Sequence, residues 1–307
     1  MQFGAQVRQA GGLLAGLRRG EEMGARVVQL FAQNNRQWRL PTLTDDECAA
    51  FRQAADHSCV VDATVCHAPY LVNVVSPDTV TVMRSLESLR ANLRAATLLG
   101  AFGLVLHPGS HRGVEPDTAT ARIADALRQA LDDVEEELGK TCDVLLENTA
   151  GSGYSVGRNF EELAAVIAAA GADERLGVCL DTQHLWASGI DFGSVEAADD
   201  VIRRLGQQVG PQRLRCLHLN DSKVAFGAGS DRHENLGAGT IGGDALAALL
   251  GHPALQALPV VLEVPGIEGH GPQAADLAVA RRLHAEGLAA RHAPSEAQTT
   301  RRRPAAR

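Results

Sequence analysis

Eight short apolar runs recur along the chain, each leading into a polar turn and then, in most cases, into a stretch with helical spacing. They are Gln2–Val7, Val27–Phe31, Val60–His67, Gly103–His107, Val144–Glu147, Gly177–Asp181, Leu214–Asn220 and Val260–Val264. Most are continuous rather than alternating, the pattern of parallel strands covered on both faces. Between the third and fourth runs, Ser76-Pro77-Asp78 supplies an N-cap and a first-turn proline. Met83, Leu86, Leu89, Leu93 and Ala96 follow at three- and four-residue spacing, and Gly100 stops the helix. After the fourth run, Ile123, Leu127, Leu131, Val134 and Leu138 mark one helical face before Gly139. Eight such units predict an α/β fold, a (β/α)8 TIM barrel in one domain over residues 1–290. A doubly wound open sheet competes, although it usually has fewer strands and a ligand site at one crevice.

The bulk properties allow one large soluble domain or two small ones. Of the 307 residues 45% are hydrophobic, enough for an ample core. The start, MQFGAQVRQAGG, shows no basic segment followed by an apolar run, and no stretch has the length a membrane span needs. A soluble cytoplasmic protein is expected, with no membrane partner. The six cysteines form no CxxC pair and read as small buried thiols in a reducing compartment. The net charge of −8 is unevenly placed, because five arginines fall within the last 23 residues. Residues 291–307 read as a disordered basic tail. An acidic body can still bind DNA if its carboxylates are neutralised by metal ions.

In a barrel, chemistry sits at the C-terminal ends of the strands. Here strand after strand ends in a metal-type residue: His67, His107, Glu147, Asp181 with His184, His218 and Glu263. Asp231 and His233 follow in the loop after the seventh run. One histidine at a strand end is ordinary, usually a hydrogen-bonded core or loop residue. Six consecutive strands ending this way are not. Such a ring would be destabilised by burial and repulsion unless cations filled it. Five imidazoles and four carboxylates without a thiolate suit zinc, manganese or iron. Nine ligands exceed what one ion takes, so two or three ions are implied, an arrangement suited to displacement at phosphorus.

The runs GAQVRQAGG, NNRQW, HAPYLVN, HPGSH, ENTAG, DTQHLWASG, HLNDSK and DRHENLGAGTIG, with the closing Leu262-Glu263, resemble the endonuclease IV family of apurinic/apyrimidinic endonucleases. These matching runs cover nearly the whole chain, to about residue 290. It implies a zinc-dependent deoxyribonuclease of base excision repair, with three Zn2+ per chain and Mn2+ or Fe2+ as substitutes. His67 and His107 would bind one zinc, and the catalytic Glu147 would bridge it to a second. Asp181, His218 and Glu263 would complete the second, while His184, Asp231 and His233 would hold a third. A hydroxide between the first two ions would cut the phosphodiester 5′ to an abasic site in duplex DNA, leaving a 3′-OH and a 5′-deoxyribose phosphate. Removal of 3′-blocking groups is a further expectation, as is a monomer in the bacterial cytoplasm or nucleoid.

The resemblance also implies DNA contacts. Arg36 and Gln37 match a minor-groove loop, Tyr70 and Leu71 match residues inserted near the extruded sugar, and Arg232 matches an arginine near the substrate phosphate. An apolar wedge of this kind offsets the cost of unstacking. The chain departs from the family in three places: Gln6 stands where His is common, Gln183 where many members have Cys, and the basic tail is no part of the family pattern. Neither glutamine is at a ligand position, although both could tune the residues that are. The rival readings are a metal-dependent sugar isomerase or epimerase on the same barrel and a catalytically dead lesion-binding protein. The third ligand set argues against the first, and the complete ligand count against the second.

Overall fold

The computed structural model describes residues 1–292. Eight parallel strands close into a barrel: β1 (Gln2–Gln6), β2 (Val27–Leu30), β3 (Ala63–His67), β4 (Gly103–Leu106), β5 (Asp143–Glu147), β6 (Leu176–Asp181), β7 (Leu214–His218) and β10 (Pro259–Leu262). β1 pairs with both β2 and β10, so the sheet has no edge and the open-sheet alternative is excluded. A two-stranded antiparallel hairpin, β8 (Asp221–Ser222) with β9 (His233–Glu234), lies in the loop after β7. The helices are α1 (Leu13–Met23), α2 (Asp45–Asp56), α3 (Thr79–Leu98), α4 (Pro116–Leu138), α5 (Phe160–Ala169), α6 (Thr182–Ser188), α7 (Val195–Gln208), α8 (Gly243–Leu250) and α9 (Ala274–His292).

The barrel interior is layered by the two-residue period of the strands. Val27, Val65, Val105, Leu145, Cys179, Cys216 and Val261, one from each of seven strands, pack into a closed apolar cluster of their own. The eighth position is Gly4, where an added Cβ would fall 1.6 Å from the Val27 carbonyl oxygen, so only glycine fits. Two residues further along each chain segment stand Gln6, Gln29, His67, His107, Glu147, Asp181, His218 and Glu263. The same pleat that fills the floor with hydrocarbon thus aims eight polar side chains into the space above it. The larger apolar cluster lies outside, between barrel and helices, and includes Leu89, Leu93, Ile123, Leu127, Leu131 and Phe160.

Local chemistry moves several boundaries from their expected places. β3 begins at Ala63, not Val60, because the Val60 and Val61 amides donate to the Ser58 hydroxyl in a turn. β10 ends at Leu262 because the next amide, of Glu263, donates to Asn220 Oδ1. The N-cap of α3 is Asp78, whose carboxylate accepts from Thr81 N at 2.9 Å; Ser76 and Pro77 precede the helix. On that helix Leu89, Leu93 and Ala96 are buried, but Met83 is exposed. The face expected on α4 is buried from Ile123 to Val134, and Gly139 caps the helix in the left-handed region. All six cysteines are free, yet Cys59 is exposed, contrary to the all-buried expectation, because it lies in the turn before β3.

Arg291, placed in the tail from sequence, belongs to α9 and pairs with Asp199 at 2.7 Å. His292 ends the same helix, and residues 293–307 of that expected tail lie outside the described residues. Among the described residues no helix is long and apolar enough to cross a membrane.

Candidate metal centre

The nine residues singled out from sequence converge at the C-terminal mouth of the barrel, with Glu147 at their centre. Its Oε2 lies 3.2 Å from His67 Nε2 and 2.9 Å from His107 Nε2. Its Oε1 lies 3.0 Å from His218 Nδ1 and 3.3 Å from His184 Nδ1. Three compact nitrogen–oxygen donor groups share this mouth: His67, His107 and Glu147; Glu147, Asp181, His218 and Glu263; and Asp181, His184 and His233; a fourth group joins His218 to the thiols of Cys179 and Cys216 in the apolar layer below. Asp231 reaches the third from the loop, its oxygens 3.4 Å from His184 Nε2 and 3.1 Å from His233 Nε2.

Hydrogen bonds behind the imidazoles decide which nitrogen faces inward. His67 Nδ1 lies 2.7 Å from the Ala68 carbonyl and His184 Nδ1 2.8 Å from the Asn148 carbonyl. A carbonyl oxygen only accepts, so both rings carry their proton on Nδ1 and present an Nε2 lone pair to the site. His218 is reversed: Nε2 faces Gln29 Oε1 at 2.8 Å, and Nδ1 turns toward Glu147 and Glu263. The lone pairs of neutral imidazoles therefore point at carboxylate oxygens 3.0–3.4 Å away, acceptor against acceptor. Only a proton or a cation between them removes that repulsion. His233 Nε2 makes the point separately, since it is buried without a hydrogen-bond partner among the described residues.

The electrostatics of the chain alone point the same way. Burial opposes the Glu147 charge, but His107 and His218 outweigh it and hold the carboxyl well below the usual range. Burial likewise opposes charge on Glu263, yet His218 brings it down to about 2. The imidazoles move oppositely: burial disfavours their charged forms, but Glu263 and Glu147 raise His218, and Asp181 and Asp231 raise His184. His233 rises to about 9 against its own burial, through Asp231 and Asp181. Without a cation, His184, His218 and His233 hold a proton more tightly than a free imidazole does. Nitrogen and oxygen donors in groups of three and four, held on rigid strand ends, fit a divalent zinc-type ion.

Side chains that are not candidate ligands hold the ones that are, and several were not anticipated. Asn148 Oδ1 accepts from the Asp181 amide at 2.6 Å, and its Nδ2 donates to the Asp181 carbonyl. Asn220 Nδ2 donates to Asp181 Oδ2. The Asp181 Oδ1 atom caps α6 through the His184 amide, which fixes the DxxH pair. Asp221, fully buried, accepts from the amides of Ser222, Gly237, Gly239, Ile241 and Gly242 and so folds the loop bearing Asp231 and His233 around one carboxylate. Gly239 is required there, because a Cβ would sit 2.4 Å from Asp221 Oδ1. A sequence signal existed for Gln29, a lone amide in the apolar run VVQLF at the register of the ligands.

The positions expected to touch DNA surround this mouth. Tyr70 is 53% exposed, its ring 5.3 Å from that of His67 and 5.8 Å from that of Phe31. Leu71 is half-buried beside it. Both line a cavity of about 680 Å³ that also meets Trp38, His107, His184 and Asp231. Arg36 and Gln37 are exposed on a loop turned by Asn34, whose Oδ1 accepts from Arg36 N and whose carbonyl accepts from Gln37 N. Arg232 is exposed next to Asp231 and donates to its carbonyl. A roomier cavity of about 810 Å³ lies between the loops after β1 and β2, but none of the nine candidate ligands lines it. Gln183, buried on α6, donates to the Ser230 carbonyl and so ties that helix to the loop rather than to the candidate ligands.

A closed eight-stranded barrel with an acid–imidazole ring at its mouth defines a class, and the xylose isomerase-like TIM barrel family matches residues 17–283. Within it the similarity is narrower. A protein named Probable endonuclease 4 from Streptomyces coelicolor is 40% identical over 283 residues, covering 91% of this chain and 94% of that one. Another of that name, from Chloroflexus aggregans, is 35% identical over 282 residues, 92% and 97% of the two chains. The crystal structure of endonuclease IV from Thermus thermophilus superposes with a TM-score of 0.78 at 33% identity, covering 92% of this chain and 98% of that one. The chain belongs to the endonuclease IV family. A D-tagatose 3-epimerase-like protein, at 18% identity and a TM-score of 0.66, shares the fold alone.

Proposed function

We propose that this hydrolytic deoxyribonuclease is a three-zinc enzyme of base excision repair that cuts duplex DNA on the 5′ side of abasic sites, leaving a 3′-OH and a 5′-deoxyribose phosphate. It also removes 3′-blocking groups, which present a phosphoester to the same donors. The carrying observation is the direction of the imidazole lone pairs. His67, His184 and His218 each spend one ring nitrogen on an acceptor behind them and aim the other at a carboxylate. Relatives named endonuclease 4 over nearly the whole chain support the reaction class.

His67, His107 and Glu147 would hold the first ion, with Glu147 shared by the second. Asp181, His218 and Glu263 would complete the second, and His184, Asp231 and His233 the third. Such ions, when bound, lower the pKa of water and stabilise charge on the attacking and leaving oxygens of an in-line displacement. Mn2+ or Fe2+ can occupy the same donors. The chain's own work is placement. Glu147 and Asp181, both fully buried, keep the donor groups within one fixed frame. Tyr70 and Leu71 fill the gap left by an extruded nucleotide. Arg36 and Gln37 meet the minor groove, and Arg232 meets a phosphate beside the site. The enzyme acts as a monomer in the cytoplasm.

Metal analysis of purified protein, run beside incision of a synthetic abasic duplex and a panel of ketoses, tests this reading. Three zinc-type ions per chain with abasic incision are expected, as the three donor groups require. A fully active preparation holding one ion, or ketose turnover without incision, would overturn it.

A further inference from the structure

Of the imidazoles whose outer nitrogen has a partner behind it, His67, His184 and His233 use backbone carbonyls, those of Ala68, Asn148 and Glu263. His218 alone relies on a side chain, Gln29. Gln29 is fully buried on β2, which like β1 carries no candidate ligand. Its amide makes three contacts. Nε2 donates to Glu263 Oε1 at 2.6 Å and to Gln6 Oε1 at 3.0 Å, and Oε1 faces His218 Nε2 at 2.8 Å.

The chemistry of these partners leaves one orientation. The Glu263 carboxylate can only accept, so the NH2 end of Gln29 must face it, and the oxygen must then face His218. An amide oxygen is no donor, so the His218 proton sits on Nε2 and its lone pair on Nδ1. That is the nitrogen 3.0 Å from Glu147 Oε1 and 3.3 Å from Glu263 Oε2. One amide thereby sets the tautomer of one candidate ligand and the direction of another, across the barrel seam between β2 on one side and β7 and β10 on the other. Gln6 holds the remaining NH2 proton and fixes the amide plane.

We propose that Gln29, held by Gln6, is the positioning residue of the second ion, acting through His218 and Glu263. The inference rests on the three-ion reading above and adds to it which non-ligand side chain sets one ion's affinity. Outer partners of metal-binding histidines are typically worth about 10–100-fold in affinity. Gln29→Met keeps the volume and removes both the acceptor and the donors. Gln6→Met leaves the His218 contact and removes only the anchor.

The experiment uses the zinc-loaded full chain and follows zinc release to a chromophoric chelator, with total zinc counted per chain. In Gln29→Met one ion per chain should leave about 10–100-fold faster, with the others unchanged, while Gln6→Met should show a smaller acceleration of that same ion. Nitrogen-15 spectra of the zinc-loaded protein should show His218 bound through Nδ1 with its proton on Nε2, a signature that a purely packing role for Gln29 would not require. Wild-type release of every ion from both variants would overturn the proposal, as would equal acceleration of all ions or His218 bound through Nε2. If Gln29→Met fails to fold, the Gln6→Met phase and the His218 spectrum decide. Wild-type protein that holds no zinc at all would instead remove the three-ion reading, and this inference with it.

Discussion

Asn220 Nδ2 donates to Asp181 Oδ2 at 2.6 Å, while the Oδ1 of the same side chain accepts from the Glu263 amide at 2.9 Å. One asparagine thus holds two of the proposed donors of one ion from behind. Replacing it with alanine should weaken one zinc site by about 10–100-fold and leave the others near their original affinity. Calorimetric zinc titration of Asn220→Ala checks this, and an unaltered set of affinities would show that Asp181 and Glu263 need no such support.

Glu147 is within 3.3 Å of four imidazoles, more than any other acid at the mouth. Glu147→Gln should fold, with a far-ultraviolet circular dichroism spectrum like the parent's, because the amide fills the same volume. Incision of an abasic duplex should fall by several orders of magnitude, since a neutral amide bridges two divalent ions poorly. Near-parental single-turnover rates in the folded variant would take Glu147 out of the reaction.

Recognition separates from chemistry at Tyr70 and Leu71. Both line the cavity beside the ring, yet neither belongs to any of the three donor groups. Stacking of this kind is worth about 1–3 kcal/mol per base, so the double alanine variant should bind an abasic duplex about tenfold or more weakly. Zinc content and cleavage at saturating DNA should change little. Retained affinity with lost zinc would mean that the pair props up the end of β3.

The barrel, its eight strands and the six strand-end candidate ligands are legible because they share one short period: apolar runs fix the strands, and those ligands sit at a constant phase within them, as in VCH, LLE and CLD. His184, Asp231 and His233 lie outside that phase, on α6 and in the loop after β7. Gln29 obeys the same phase but gives no ligand signal, since an amide titrates nothing and ligates little. The ends of β3 and β10 escape the pattern for a different reason. Their last pairings are replaced by side-chain acceptors, Ser58 Oγ and Asn220 Oδ1, and no hydrophobic pattern encodes those. The hold of Asp221 on its loop depends on amides 16 to 21 residues away, so local sequence could not show it.

On the three-ion reading, protons and zinc compete for the same nitrogens, which gives the metal-free chain a distinctive pH profile. His233 is raised from 6.5 to about 9, so its bound proton stabilises the fold fully below pH 6.5 and is lost as pH rises through 9. Glu263 is depressed from 4.5 to about 2, so its contribution is present above pH 4.5 and lost as pH falls through 2. Chelated protein should therefore melt highest between pH 4.5 and 6.5 and lose stability toward pH 9. Zinc-loaded protein should decline less over that upper range, because the ion replaces the proton. Calorimetric melting of both forms across that upper range checks it, and a constant gap between them would contradict the competition.

Removing Asp221 should cost one ion selectively. In Asp221→Ala five amides lose their acceptor, and the two buried ones, of Ser222 and Ile241, cost about 1–3 kcal/mol each if left unsatisfied, so the loop opens rather than tolerates the loss. Zinc per chain should drop by one, while the parent's thermal transition persists at a lower temperature. A full zinc complement in Asp221→Ala would show that the loop holds its shape by other means.

The same carboxylate divides the mouth of the barrel into two parts with different supports. The strand-end donors are carried by the hydrogen-bonded staves of the barrel, whereas Asp231 and His233 are carried by a long segment of chain wound around Asp221. The inner donors therefore hang on a whole sheet, and the outermost clasp hangs on one side chain.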